Sequence, residues 1–207
     1  MRNVAIFLFD EVEVLDFAGP FEVFSVCGRR GHGRRDGGDA PFEVYTVAER
    51  SPVQARNGLT VVPTYTLGEE PTPDIILIPG GGGFHPDGTP FGSRREMHNE
   101  RVLDWIQQRN ATAELTLLVC TGSLMLARAG LLEGLAATTH WGAVDAMREI
   151  APNTTLKPEE RWVDNGRIIL SAGVSAGIDM SLYVVSRLLG KEVADETARY
   201  MQYDHWQ

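Results

Sequence analysis

Cysteine is scarce in this chain of 207 residues, which holds two, Cys27 and Cys120. Two thiols so far apart do not make a disulfide framework, and a reducing cytoplasm is the simplest setting for them. Positive charge is also in short supply. Nineteen lysines and arginines face 28 aspartates and glutamates, for a net charge of −9. That leaves no broad basic surface to draw the chain to nucleic acid or anionic lipid. No apolar run is long enough to span a bilayer. The N-terminal "NVAIFLF" is followed by acids within a few residues and by no small-residue cleavage site. It reads as a buried strand, not as a leader. Repeats, low-complexity stretches and linker-like composition shifts are missing too. The expectation is one α/β domain over residues 1–207, with no second domain after the last helix.

What is present suits a globular protein. Hydrophobic residues make up 43% and charged residues 23%, enough to build a core without disulfides or metals. Short apolar runs at Asn3–Phe9, Phe42–Ala48, Asp74–Ile78 and Glu114–Val119 read as strands, and "GLTVVPTYTL" as a further extended segment. Pro20 suits the first turn of a helix whose buried stripe is Phe21, Phe24, Val26 and Cys27. Helices are expected around Met97–Gln108 and Leu124–Ala129, over "AGIDMSLYVVSRLLG" with closure at Gly190, and through "EVADETARYMQY". Asn165-Gly166 between apolar runs signals a two-residue hairpin. The glycine- and arginine-rich stretch Gly28–Pro41 reads as a mobile surface loop, its arginines solvated. Alternating strands and helices predict a flavodoxin-like sandwich, a mainly parallel sheet with helices on both faces.

Cys120 ends one of those apolar runs, immediately before Thr121, Gly122 and a helical pattern. Ligands of parallel sheets collect beyond the carboxyl ends of the strands. A sharp strand-to-helix turn there would raise the thiol above the sheet as a nucleophile elbow, with Gly122 letting the backbone pass close beneath. Amides opening the next helix favour a thiolate, so a thiol with an ordinary pKa near ~8.5 is expected to be largely ionised at neutral pH. The bland alternative is a packed cysteine, favoured for Cys27 and weaker for Cys120. The run Gly80–Gly83 ends a neighbouring strand, and its amides, Gly81 and Gly82 among them, could form an oxyanion hole with that of Thr121. The spacing fits neither dinucleotide nor phosphate-loop patterns. His85, Asp87 and His98 match no standard metal site, so no metal and no cofactor are expected.

Several motifs together resemble the ThiJ/PfpI superfamily, with its class I glutamine amidotransferase-like fold. They are "LDFAGPFEVF", "DIILIPGGGG", "VCTGSLMLARAGLLEGLAATTHW" and "SAGVSAGIDMSL", and they cover nearly the whole chain. The "LD-x-x-GP" start and "TTHW" segment are most similar to the isocyanide hydratases and to the amidotransferase-like sensor domains of AraC-type regulators. The hydratase resemblance implies Cys120 as nucleophile, Asp16 as its acid–base partner at the end of a buried strand, and Thr121 as part of the site. It implies a small, mostly apolar pocket and a thioimidate that hydrolyses to an N-substituted formamide. Asp16 could instead cap the following helix. Glu22 is the reserve acid. His140 is expected to line the site with Gly122, and Trp141 to pack in a core or interface. Leu118 stands where classical amidotransferases have a glycine, which argues against glutamine amidotransfer. The resemblance also implies a homodimer acting on a small molecule. Other readings are a small-molecule or redox sensor, or glyoxalase, deglycase or peptidase chemistry. The regulators carry a helix-turn-helix module, and ending at Gln207 argues against DNA binding in this chain.

Overall fold

A computed structural model describes residues 1–28 and 40–204. The glycine- and arginine-rich stretch expected as a surface loop lies, apart from its ends, outside the described residues. Among the described residues, seven strands form the main sheet. They are β1 (Arg2–Leu8), β2 (Phe42–Ala48), β3 (Tyr65–Thr66), β4 (Ile75–Ile78), β5 (Leu115–Val119), β6 (Trp162–Asp164) and β7 (Ile168–Ser171). Their spatial order is β6-β7-β5-β4-β1-β2-β3. All neighbours are parallel except the hairpin β6–β7. All four residues of β4, all five of β5 and the last five of β1 are buried, as expected of strands covered on both faces.

The helices are α1 (Val14–Val26), α2 (Ser93–Glu96), α3 (Glu100–Thr112), α4 (Gly122–Arg128), α5 (Val144–Ile150), α6 (Ala176–Leu189) and α7 (Lys191–Tyr200). They fall into two packed groups, α1 with α6 and α7, and α4 with α2, α3 and α5. The result is the expected α/β sandwich. Gly190 ends α6 at φ 98°, its N–H bonded to the Ser186 carbonyl.

Several local expectations are corrected. Pro20 is not in the first turn of α1, which begins six residues earlier at Val14. Phe21 is 36% exposed, so the buried stripe keeps Phe24, Val26 and Cys27 without it. Met97 lies outside any helix; it follows α2, and α3 starts only after Asn99. The hairpin turn is centred on Gly166 and Arg167, because Asn165 pairs with Ile168 through its N–H. Gly166 adopts φ 86° there and donates its N–H to Asp164 Oδ1. Gly82–Phe84 is a short strand paired with Pro90–Gly92, where only a glycine loop was expected.

The chain switches sides of the sheet at β1. It lays β2 and β3 to one side and then returns to lay β4 on the other. Four adjacent strands, β7, β5, β4 and β1, therefore deliver their following segments to one rim, the place where open α/β sheets hold ligands.

Candidate active site

Each of those four strands contributes a piece. After β5 comes Cys120, and after β4 the glycine run. After β1 comes α1 with Asp16, and after β7 the loop Ala172–Ser175. Cys120 has φ 59° and Val174 φ 50°. The left-handed region costs about 1–3 kcal/mol for a residue with a side chain, and more surely so for β-branched valine. At Cys120 the surroundings hold it there. Its N–H faces the carbonyls of Ser171 and Ala172 at 3.2 and 3.1 Å. The hydroxyls of Ser123 and Thr139, 2.8 Å apart, converge on its carbonyl oxygen at 2.9 and 3.1 Å. A Cβ at Gly122 would collide with the Ile78 and Pro79 carbonyl oxygens, so only glycine lets α4 begin this close to β4.

Asp16 is fully buried. It stands in the first turn of α1, not at a strand end, and its side chain does not cap the helix; Glu13 holds the N-cap position. Its Oδ2 accepts the Gly80 N–H at 3.0 Å, while its Oδ1 is buried with no hydrogen-bond donor among the described residues. The Cys120 thiol neighbours this carboxyl and favours its charged form. Burial pushes Asp16 up to about 7, against the pull of the Gly80 N–H and the thiol. Burial, and next the negative charge of Asp16, push the Cys120 thiol up to about 12. The N–H groups of Thr121 and Val174 favour the thiolate but are outweighed. The expected resting thiolate is thus corrected. Helix-end dipoles are weaker here than desolvation plus a carboxylate neighbour.

The glycine run is also corrected. The Gly80 N–H is committed to Asp16, and the Gly81 N–H donates to Thr121 Oγ1 at 3.0 Å. These amides hold the site together and are not free to bind an oxyanion. Gly82 is part of the short strand facing Gly92. The amides that face the sulfur are those of Thr121 and Val174. Thr121 Oγ1 also receives a hydrogen bond from the buried Ser93 hydroxyl at 2.8 Å, which ties α2 to the elbow.

No hydrogen bond joins His140 to Cys120 among the described residues. The imidazole meets Gly173 with its Cδ2 edge, where a Cβ would strike it, and its Nδ1 accepts the Gly142 N–H at 3.1 Å. Burial, and then the positive charge of Arg94, lower its pKa, while Glu13 raises it. Trp141 is 83% exposed, its ring tilted against that of His140, so it is not in a core. Glu22 is exposed on α1, away from the buried Asp16. His85 and Asp87 lie exposed on the Gly82–Gly92 hairpin, His85 against Phe91, and His98 is exposed beyond α2. Among the described residues no cluster of three candidate metal ligands forms. Leu118 is buried in β5.

The sequence reading missed Ser93, Arg94, Ser123, Thr139 and Val174. Thr139 stands inside the "TTHW" segment that carried the resemblance, and its hydroxyl supports the elbow backbone. Val174 had no signal, since nothing in "SAGVSAG" announces a strained valine.

A model of the DJ-1/PfpI family matches residues 2–187. Over 203 residues the chain is 32% identical to an isonitrile hydratase of Pseudomonas putida, across 97% of this chain and 78% of that protein. It is 30% identical over 152 residues to the HTH-type transcriptional regulator GbdR of Pseudomonas aeruginosa. That match covers 73% of this chain but 38% of the regulator, so the chain spans well under half of the regulator's length. A crystal structure of a ThiJ/PfpI family protein from Pseudomonas syringae superposes with a TM-score of 0.82 at 30% identity, covering 98% of this chain and 75% of that one.

Proposed function

The chain belongs to the DJ-1/PfpI family, and from the groups gathered at its elbow cysteine we propose that it is a cysteine-dependent hydratase, adding water to a small isocyanide to give an N-substituted formamide. The observation that carries this reading is the buried pair of Cys120 and Asp16. A carboxyl with an unpartnered oxygen, pushed up to about 7, sits against a thiol. A group with that pKa exchanges protons readily near neutral pH.

The chemistry follows from that pair. The Asp16 carboxylate takes the thiol proton as the sulfur bonds to the terminal isocyanide carbon. The same proton then passes to that carbon, leaving the thioimidate R–N=CH–S on Cys120. Water adds across the C=N bond, the C–S bond breaks, and the sulfur recovers its proton as R–NH–CHO leaves. One water is consumed and no redox partner is needed. The Thr121 and Val174 amides stabilise charge on the sulfur during attack. Thr121 and Gly122 shape the elbow, and His140 lines its rim. We also place the protein in a reducing cytoplasm as a homodimer built from this one catalytic unit. No described helix is long and apolar enough to cross a membrane.

A second reading is a binding domain that senses small molecules at the same elbow. The regulator match over 73% of this chain favours it. Turnover separates the two. Wild type should convert a simple isocyanide to its formamide, and Cys120→Ser should lose roughly a thousandfold or more of that rate. No formamide from wild type sinks the hydratase reading; equal rates remove Cys120 from it.

A further inference from the structure

The rim of the elbow holds a charge that hydration of a plain isocyanide does not use. Arg94 follows Ser93, whose hydroxyl is bonded to Thr121 beside Cys120. Nine other described arginines, such as Arg56 with Glu13 and Arg109 with Glu70, have a carboxylate within 4.0 Å. Arg94 does not. Among the described residues its half-buried guanidinium makes no hydrogen bond or ion pair, and its neighbour is the Phe84 ring at 5.8 Å. In a chain of net charge −9, a carboxylate partner is easily supplied, so its absence at a half-buried site is informative.

We propose that Arg94 is the anion-recognising side chain of the Cys120 site and that the small molecules the site takes carry a carboxylate. The guanidinium is a fork that matches the two oxygens of a carboxylate. The Ser93–Thr121 hydrogen bond brings the segment that carries Arg94 to the elbow, and its charge is felt at both Cys120 and His140. Burial lowers the pKa of Arg94; an incoming anion would relieve that cost. His140 complements it. With Nδ1 accepting from Gly142, the neutral ring keeps its proton on Nε2 as a donor. The other charged groups near the rim are Glu13, held by Arg56 at 3.5 Å, and Asp16 beneath. One unpaired cation beside two carboxyls suits a singly charged carboxylate better than a dianionic phosphate. The exposed Phe84 and Trp141 supply apolar surface for the rest of the molecule. The inference rests on Cys120 as the reacting centre, not on isocyanide chemistry.

Alkylation of Cys120 tests it with two reagents that differ in charge, iodoacetate and iodoacetamide. Rates are read on the Cys120 peptide by mass spectrometry, so Cys27 does not interfere. The ratio of the iodoacetate to the iodoacetamide rate cancels changes in thiol ionisation. In wild type at low salt it should exceed the ratio for a neutral model thiol, N-acetylcysteine amide, by about tenfold or more, and shrink in high salt. Arg94→Gln should bring the ratio down to the model value, and Arg94→Lys should retain an intermediate ratio. A wild-type ratio at or below the model value overturns the proposal, whatever the variants do. So does an Arg94→Gln protein that keeps the wild-type ratio. If the ratio holds but no isocyanide is turned over, the hydratase reading falls and the anion site stands. If isocyanides are hydrated and the ratio is flat, the reverse is true.

Discussion

Of the four carboxyl groups buried among the described residues, Asp16, Glu70, Glu96 and Asp179, the first two stand in opposite conditions. Glu70 lies beside α3, its side chain fully shielded. Trp105 Nε1 donates to it at 2.7 Å, Arg109 Nε at 2.8 Å and the Gly68 N–H at 2.6 Å. Burial alone would raise its pKa, but those donors together hold it below the ordinary value. Asp16 has one N–H on one oxygen, no donor on the other and a thiol as neighbour, and burial wins. Both are acids in apolar surroundings. The number and charge of their donors decide that one is a permanent anion that ties elements together and the other a proton-exchanging group. A buried carboxylate left partly unsatisfied costs the fold stability, so its retention points to chemistry.

The largest expected effect separates the two in activity. Asp16→Asn keeps an acceptor for the Gly80 N–H but cannot carry the thiol proton. Formamide production should fall by roughly 10²–10⁴-fold. Glu70→Gln should leave the rate per folded molecule unchanged. A comparable loss from Glu70→Gln would break the contrast.

Stability should run the other way. Glu70→Gln leaves Arg109 without its counter-charge and should cost about 2–4 kcal/mol in urea unfolding near pH 7. Because the Glu70 pKa is depressed, wild type keeps this contribution above the ordinary carboxylate range and loses it as pH falls below. Asp16 has the reverse sign. Its pKa is raised from 3.8 to about 7, so the folded state binds the extra proton, and stability from this group declines as pH climbs from 3.8 to about 7. Asp16→Asn should therefore be more stable than wild type at pH 8, by about 1–3 kcal/mol, with the gain vanishing near pH 4. An Asn variant less stable at pH 8 would mean that Asp16 is a structural anion after all.

The subtlest test is the titration of Cys120 itself. With its thiol pushed up to about 12, the rate of alkylation by iodoacetamide should still be climbing through pH 9 to 10. Asp16→Asn should move the profile down by about one to two pH units, because the opposing negative charge is gone. A wild-type plateau below about pH 8 would restore the resting thiolate expected of a helix-end cysteine.

The fold was largely legible because continuous apolar runs such as "IILI" and "LTLLV" permit little besides buried strands. The elbow was legible too, since a cysteine, a glycine and a helical pattern at the end of such a run leave few geometries. The errors came where distant segments compete for the same groups. Gly80 and Gly81 looked like free anion donors, but Asp16 and Thr121, separated from them by 64 and 40 residues, occupy their amides. The cysteine looked ionised because the helix start is local and visible, while the burying shell and the Asp16 charge are not. His140 was expected only to line the site, and the close approach of its ring to Gly173, which fixes it there, could not be read from the sequence.

The sequence by itself determined that a parallel sheet would carry a cysteine at the carboxyl end of a central strand, with an acid early in the chain and glycines beside it, because local pattern sets strands, turns and the residues at their ends. Only the tertiary structure decided the protonation of that cysteine, which amides are free to face it, and that an unpaired arginine stands at its rim. Those properties depend on desolvation and on which distant donors reach each group, and neither quantity is written in any one stretch of the chain.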